Sequence, residues 1–282
     1  MELIDTHQHL FLRDRLGYAW ADAIPDLAGR DFTRADYARL TEGKGIAGTV
    51  FMETGVDDAD YQAEARLVAG MVGQGGMLGQ IASIRPETEL GFEAWLEEAA
   101  GLGVVGFRRI LHVVPDDVSQ SEVFRRNLRR IGRAGYPFDL NLLARQLVPV
   151  GVPLLRACPD QPFVLDHCGV PDVAAGDWEV WEAGVAAFAA HPNVVVKLSG
   201  ITAYCAPGTA TLASVRPYVD RLLALFGPDR VLWGSDWPVV DLGAGLPGWI
   251  DMTRALLADL SETERRAIAQ GTARRVYRLS AA

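Results

Sequence analysis

The chain of 282 residues has room for one large α/β domain, and its 49% hydrophobic and 22% charged content is that of a soluble globular protein with a sizeable core. A formal net charge of −9 leaves no basic footprint for nucleic acid, and no apolar run is long enough to span a bilayer. No leader-like segment opens the chain, and Cys158, Cys168 and Cys205 have neither an even count nor Cys-x-x-Cys spacing, so a reduced, cytoplasmic setting is expected.

The first predicted element is a strand over Leu3–His9. Residues i and i+2 share a face of a strand, so His7 and His9 project together from its end, where two imidazoles can bind a metal or polarise a carbonyl. A long interval containing Tyr18, Trp20 and Pro25 follows, read as cover for a site. The second strand, Gly48–Thr54, brings Glu53, and the stripe of Ala65, Leu67, Val68 and Met71 predicts a helix over Asp60–Met71. Strands are then expected at Gln80–Ile84 and at Val104–Leu111, the latter with Arg108 and nearby His112. An amphipathic helix over Ser121–Ile131 carries Arg125, Arg126, Arg129 and Arg130 as a solvated face.

Phe138–Leu143 is the fifth strand, with Asp139 and Asn141, and Phe163–His167 the sixth. A helix over Trp178–Phe188 leads to strand Val194–Ser199, with Lys197 and Ser199, and a helix over Val215–Phe226 to strand Val231–Ser235, followed by Asp236. Ser261-Glu262-Thr263-Glu264 is a capping box that opens the last helix. Eight strands alternating with helices predict parallel pairing and a single (β/α)8 TIM-barrel domain over residues 1–282. A doubly wound open sheet is the alternative, but no Gly-x-Gly-x-x-Gly follows the first strand.

Active sites of such barrels lie at the C-terminal strand ends, where this sequence concentrates its ionisable residues. His-x-His on the first strand, Val164-Leu165-Asp166-His167-Cys168-Gly169 and Trp233-Gly234-Ser235-Asp236-Trp237-Pro238 together resemble the amidohydrolase superfamily, of the amidohydrolase-2 type. Gly106–Leu111, Phe138-Asp139-Leu140 and Gly271–Tyr277 extend the resemblance over nearly the whole chain, toward the lactonase branch that includes L-fuconolactonase, L-rhamnonolactonase and 2-pyrone-4,6-dicarboxylate lactonase. Many superfamily members place a histidine on strand 5 and a metal-bridging lysine or glutamate on strand 4. Here strand 5 offers Asp139 and Asn141 and strand 4 offers Arg108 and Arg109, which leaves too few ligands for a binuclear centre.

The resemblance implies a hydrolase for a small-molecule lactone, most simply that of a sugar acid in carbohydrate catabolism. Asp236 is the expected base for the attacking water, with His7, His9 and His167, or a metal, polarising the carbonyl. Arg108 is the expected grip on substrate carboxylate or hydroxyls, supported by Trp20, His112 and Lys197. One Zn²⁺ held by His7, His9 and Asp236, with Glu53 or His167 as a further ligand, and a metal-independent route both stay open, because the resemblance covers relatives of both kinds. Specificity is expected in the loops after strands 1, 4 and 7, especially Arg13–Arg30 and Tyr204–Thr211.

The structural reading of these residues is an Arg108–Glu53 ion pair, a core His167 and an Asp236 that caps a loop. Arg109 and Asp166 are expected to face away from the barrel interior, His191 to sit at a helix end, and Trp178, Trp181 and Phe188 to fill a helix stripe. Two other functions compete: an amidohydrolase-type decarboxylase of an aromatic or unsaturated acid, and a non-catalytic barrel that keeps the site. A homo-oligomer is compatible with the sequence.

Overall fold

The computed structural model describes residues 1–280. Eight parallel strands pair in chain order: β1 (Leu3–Gln8), β2 (Ile46–Met52), β3 (Met77–Ser83), β4 (Val104–Ile110), β5 (Phe138–Asn141), β6 (Phe163–Leu165), β7 (Val194–Leu198) and β8 (Val231–Trp233). Helices occupy the intervals, among them Tyr61–Ala69, Glu122–Arg133, Trp178–Ala189 and Leu212–Phe226, so the architecture is the expected (β/α)8 barrel. The seam between β1 and β8 closes above β8 itself. Asp236 N–H donates to the His7 carbonyl (2.8 Å) and His9 N–H to the Trp237 carbonyl (2.8 Å), while the Thr6 hydroxyl donates to the Trp233 carbonyl (2.7 Å).

Alternation along the strands sorts the side chains. Leu3, Phe51, Phe107, Phe138, Leu140, Phe163, Leu165, Val196 and Trp233 pack outward under the helices. Ile4, Val50, Met52, Ile81, Val164, Val195 and Leu232 fill the lower barrel interior, closed from below by Ala273, Tyr277 and Leu279. Gly106 makes room for that plug, since a Cβ there would sit 3.3 Å from the Tyr277 ring.

Strands β6 and β8 end two residues earlier than the apolar runs suggest. The backbone turns left-handed at His167 (φ 52°) and Asp236 (φ 62°), which no strand accommodates. The capping box at Ser261 forms as expected: Ser261 Oγ accepts from Glu264 N–H, and the Glu264 carboxylate accepts from Ser261 N–H (2.8 Å). Within the long segment after β1, Arg13 donates to Asp22 (2.7 Å) and to the Arg30 and Leu27 carbonyls. The segment brings the half-exposed Trp20 to the rim of the barrel. Among the described residues, no helix is long and apolar enough to cross a membrane.

Candidate active site at the C-terminal strand ends

A cleft of about 400 Å³ opens over the C-terminal strand ends, within the range of small-ligand sites. His9, His167 and Asp236 lie on its floor, and Glu53, Arg108, His112, Asn141, Trp20 and Tyr204 contribute to its walls. His7 lies just beneath, with no exposed surface. One carboxylate organises all three imidazoles. Asp236 Oδ1 is 3.4 Å from His9 Nε2 and 3.6 Å from His7 Nε2, and Oδ2 is 3.6 Å from His167 Nδ1. The left-handed backbone at Asp236 and His167 aims both inward, and Gly200 leaves the space between them. A Cβ at Gly200 would sit 2.8 Å from both Asp236 Oδ2 and His167 Nδ1.

The supports of this floor come from behind it. Asp5, fully buried, faces outward and accepts from His7 N–H (3.0 Å), Ser235 N–H (2.8 Å) and the Tyr37 hydroxyl (2.6 Å), locking β1 to the loop that carries Asp236. Burial raises the Asp5 carboxyl in spite of these bonds. Arg108 Nε donates to Glu53 Oε1 (2.6 Å) and Nη2 to the Glu53 carbonyl (2.6 Å). Its Nη1 lies 3.3 Å from His7 Nε2 and 3.4 Å from Asp166 Oδ2. Lys197 pairs with Asp139 (2.6 Å) and Asp166 (3.0 Å), and Tyr277 donates its hydroxyl to Asp139 (2.8 Å).

Hydrogen-bond partners fix the imidazole roles. His9 Nδ1 meets the Met52 carbonyl at 3.0 Å, and a carbonyl only accepts, so that nitrogen carries the hydrogen. Neutral His9 therefore turns a lone pair, not a proton, toward Asp236. Burial and the neighbouring Lys197 ammonium hold His7 well below the ordinary histidine range, so it stays neutral near pH 7. Burial also lowers His167, whose Nδ1 is 3.2 Å from the Ser199 hydroxyl. Burial alone would raise Asp166, but the Lys197 ammonium and His7 beside it hold its carboxyl well below the usual range.

The ligand atoms of His7, His9 and Asp236 fit a single metal ion. All three lie within 4.8 Å of one another, and separations of 3.4 and 3.6 Å are close to the edges of a tetrahedron of zinc ligands, about 3.4 Å. The His9 hydrogen on the Met52 carbonyl is the outer-shell bond that prepares a histidine for a metal. Glu53 does not join this group. Its carboxylate is taken by Arg108 and by Gly55 N–H (2.9 Å).

Several expected placements change. Lys197, expected in the substrate pocket, is fully buried beneath the floor, held there by two aspartates. Asp166, expected to face away, points into the barrel, because it continues the interior parity of Val164 while His167 enters only through its left-handed backbone. Arg109 does not pack under the helices; it lines the cleft and pairs with Glu87 (2.8 Å). The Arg108–Glu53 ion pair is present, and Arg108 also reaches the cleft. His112 donates from Nδ1 to Asn141 Oδ1 (2.6 Å) at the wall. Arg85 and Gly200 carried no recognisable sign in the sequence, and Tyr204 stood only as the start of a loop expected to set specificity.

The profile of a family described as "Amidohydrolase" matches residues 4–279. An L-fucono-1,5-lactonase of Burkholderia ambifaria is 29% identical over 249 residues, covering 84% of this chain and 80% of that protein. A 2-pyrone-4,6-dicarboxylate hydrolase of Comamonas testosteroni is 26% identical, covering 86% of this chain and 79% of the relative. The crystal structure of an amidohydrolase from Burkholderia multivorans with bound zinc superposes with a TM-score of 0.89 at 26% identity, covering 99% of this chain and 100% of the other.

Proposed function

The chain belongs to the amidohydrolase family, and from that premise we propose that it hydrolyses the lactone of a sugar acid, with Asp236 as the base. The observation that carries the chemistry is the Asp236 carboxylate set among three imidazoles on the floor of a small-molecule cleft. Asp236 takes a proton from water as its oxygen attacks the lactone carbonyl carbon. The tetrahedral intermediate then collapses, the ring C–O bond breaks, and the departing hydroxyl recovers the proton from Asp236. Water is consumed and one hydroxy acid is released.

The developing oxyanion needs donors already in place. Arg108, a permanent cation on the cleft wall, is one such donor. His167 supplies a second from Nε2 when its Nδ1 accepts from the Ser199 hydroxyl. Neutral His9, with its hydrogen on the Met52 carbonyl, has no hydrogen to offer the oxyanion, and its free nitrogen would instead help to hold a metal. A metal on His7, His9 and Asp236 would act as a Lewis acid on the same oxygen.

The charge balance of the walls favours an uncharged, hydroxyl-rich substrate. Arg85, Arg108 and Arg109 line the cleft, and each already meets a carboxylate: Asp58 (2.8 Å), Glu53 (2.6 Å) and Glu87 (2.8 Å). They present N–H donors for hydroxyls without leaving an unpaired cation for a substrate carboxylate. Trp20, held by its Nε1–H on the Thr54 carbonyl (2.9 Å), gives an apolar face for a sugar ring. The test is acid release from a panel of aldono-1,4- and aldono-1,5-lactones beside 2-pyrone-4,6-dicarboxylate. Turnover of aldonolactones with little of the dicarboxylate is expected. Preference for the dicarboxylate, or release of carbon dioxide from an aromatic acid without lactone turnover, would overturn the assignment.

A further inference from the structure

His7 is held between the Arg108 guanidinium and the Lys197 ammonium. Arg108 Nη1 is 3.3 Å from its Nε2 and Lys197 Nζ is 3.2 Å from its Nδ1. Guanidinium and ammonium groups only donate, while a neutral imidazole has one lone pair to give. In the tautomer whose hydrogen lies on Nδ1, on the side of Asp166 Oδ1 (3.5 Å), the lone pair on Nε2 faces Arg108, and this is also the tautomer in which His7 can ligate a metal through Nε2. That nitrogen is also the one that faces Asp236 at 3.6 Å, in the group fitted to a metal.

We propose that Arg108 is a built-in competitor of divalent metal at His7. One lone pair serves either a guanidinium hydrogen or a metal ion. The guanidinium is fixed in place: it is 2% exposed, bound to Glu53 through Nε and Nη2, and kept charged by Glu53 and Asp166 against the cost of its burial. Metal affinity in this barrel is therefore set by the Glu53–Arg108 pair as much as by the ligands. A metal that binds must displace Nη1 from His7 or make do with His9 and Asp236. The inference concerns binding and stands whether or not the substrate is a sugar lactone.

The test is calorimetric titration of zinc into chelator-stripped protein. Removing Arg108 alone would free the Glu53 carboxylate as a new ligand, so the informative variant is Glu53→Gln with Arg108→Met, which leaves the local net charge unchanged. Zinc should bind this double variant at least about tenfold tighter than wild type, because the guanidinium that rivals it for the lone pair is gone while the local net charge is kept. Glu53→Gln with Arg108→Gln, which keeps a polar pair in the core, should move in the same direction if the methionine variant folds poorly. Adding His7→Ala should abolish the gain. Equal affinity in wild type and double variants overturns the proposal, as does a gain that survives His7→Ala. A comparable gain from Arg85→Met, on the cleft rim, would trace the effect to general charge and overturn it as well.

Discussion

Along β6 the barrel interior passes from Val164 to Asp166, along β7 from Val195 to Lys197, and along β4 from Gly106 to Arg108. One pleat repeat turns an apolar plug into a buried lattice of ions. The lower layer is held by volume, since Ile4, Val50, Ile81 and Leu232 pack in one apolar cluster, and Tyr277 beneath them carries its hydroxyl up to Asp139. The upper layer is held by charge pairing: Asp139, Asp166 and Glu53 face Lys197 and Arg108 with side chains almost wholly buried. Breaking one partner of such a pair leaves an uncompensated charge, whereas trimming an apolar side chain leaves a cavity. The two layers should therefore fail in different ways.

The largest difference is expected at the top. Asp236→Asn removes the proton acceptor but keeps the shape, so kcat should fall about 10³-fold while the thermal midpoint barely moves. Steady-state kinetics beside a melting curve checks this, and near-normal turnover would remove Asp236 as the base. Leu232→Ala, in the plug, should cost about 2–4 kcal/mol of stability by urea titration, with the folded enzyme keeping most of its kcat/KM. A large loss of activity at unchanged stability would show that the layers are not separable in this way.

The smallest effect lies behind the cleft wall. Glu64 accepts from Thr54 N–H (3.0 Å), and burial together with the nearby Glu53 carboxylate pushes its carboxyl from 4.5 up to about 8. The unfolded chain releases that proton near its ordinary value and the folded protein only near pH 8. The stabilisation from Glu64 is thus present below about pH 4.5 and is lost as pH rises toward 8. Glu64→Gln keeps the acceptor without the titration. It should be more stable than wild type by about 1–3 kcal/mol at pH 8, with the gap closing at pH 4.5 in paired urea titrations. A gap independent of pH would contradict the shift.

The barrel was legible because period-two apolar runs and helix-length intervals survive in sequence: each of the eight runs became a strand. The floor was legible where an ionisable residue ends such a run, as with His7, His9 and Asp236. The sequence could not show which way His167 and Asp166 face, because facing past Leu165 depends on a left-handed turn at a non-glycine residue. It also could not show that Lys197 is neutralised by Asp139 of β5 and by Asp166 just past β6, or that Arg109 finds Glu87. Those pairings depend on distance across the barrel, which periodicity does not encode. Gly200 escaped for a similar reason, since its value lies in the volume that it leaves empty between Asp236 and His167.

The seam between β1 and the β8 loop has a consequence for assembly. His7 and Asp236 come from opposite ends of the sequence and meet only when Asp236 N–H reaches the His7 carbonyl and Asp5 grips Ser235. Closing a loop of more than 200 residues is entropically among the most demanding events in folding the chain. A growing or partly folded chain can hold most of the strands in register and still lack any chemistry. Asp236 and the imidazoles around it therefore come together only with closure of the barrel, so a chain that has not closed the seam has no assembled cleft.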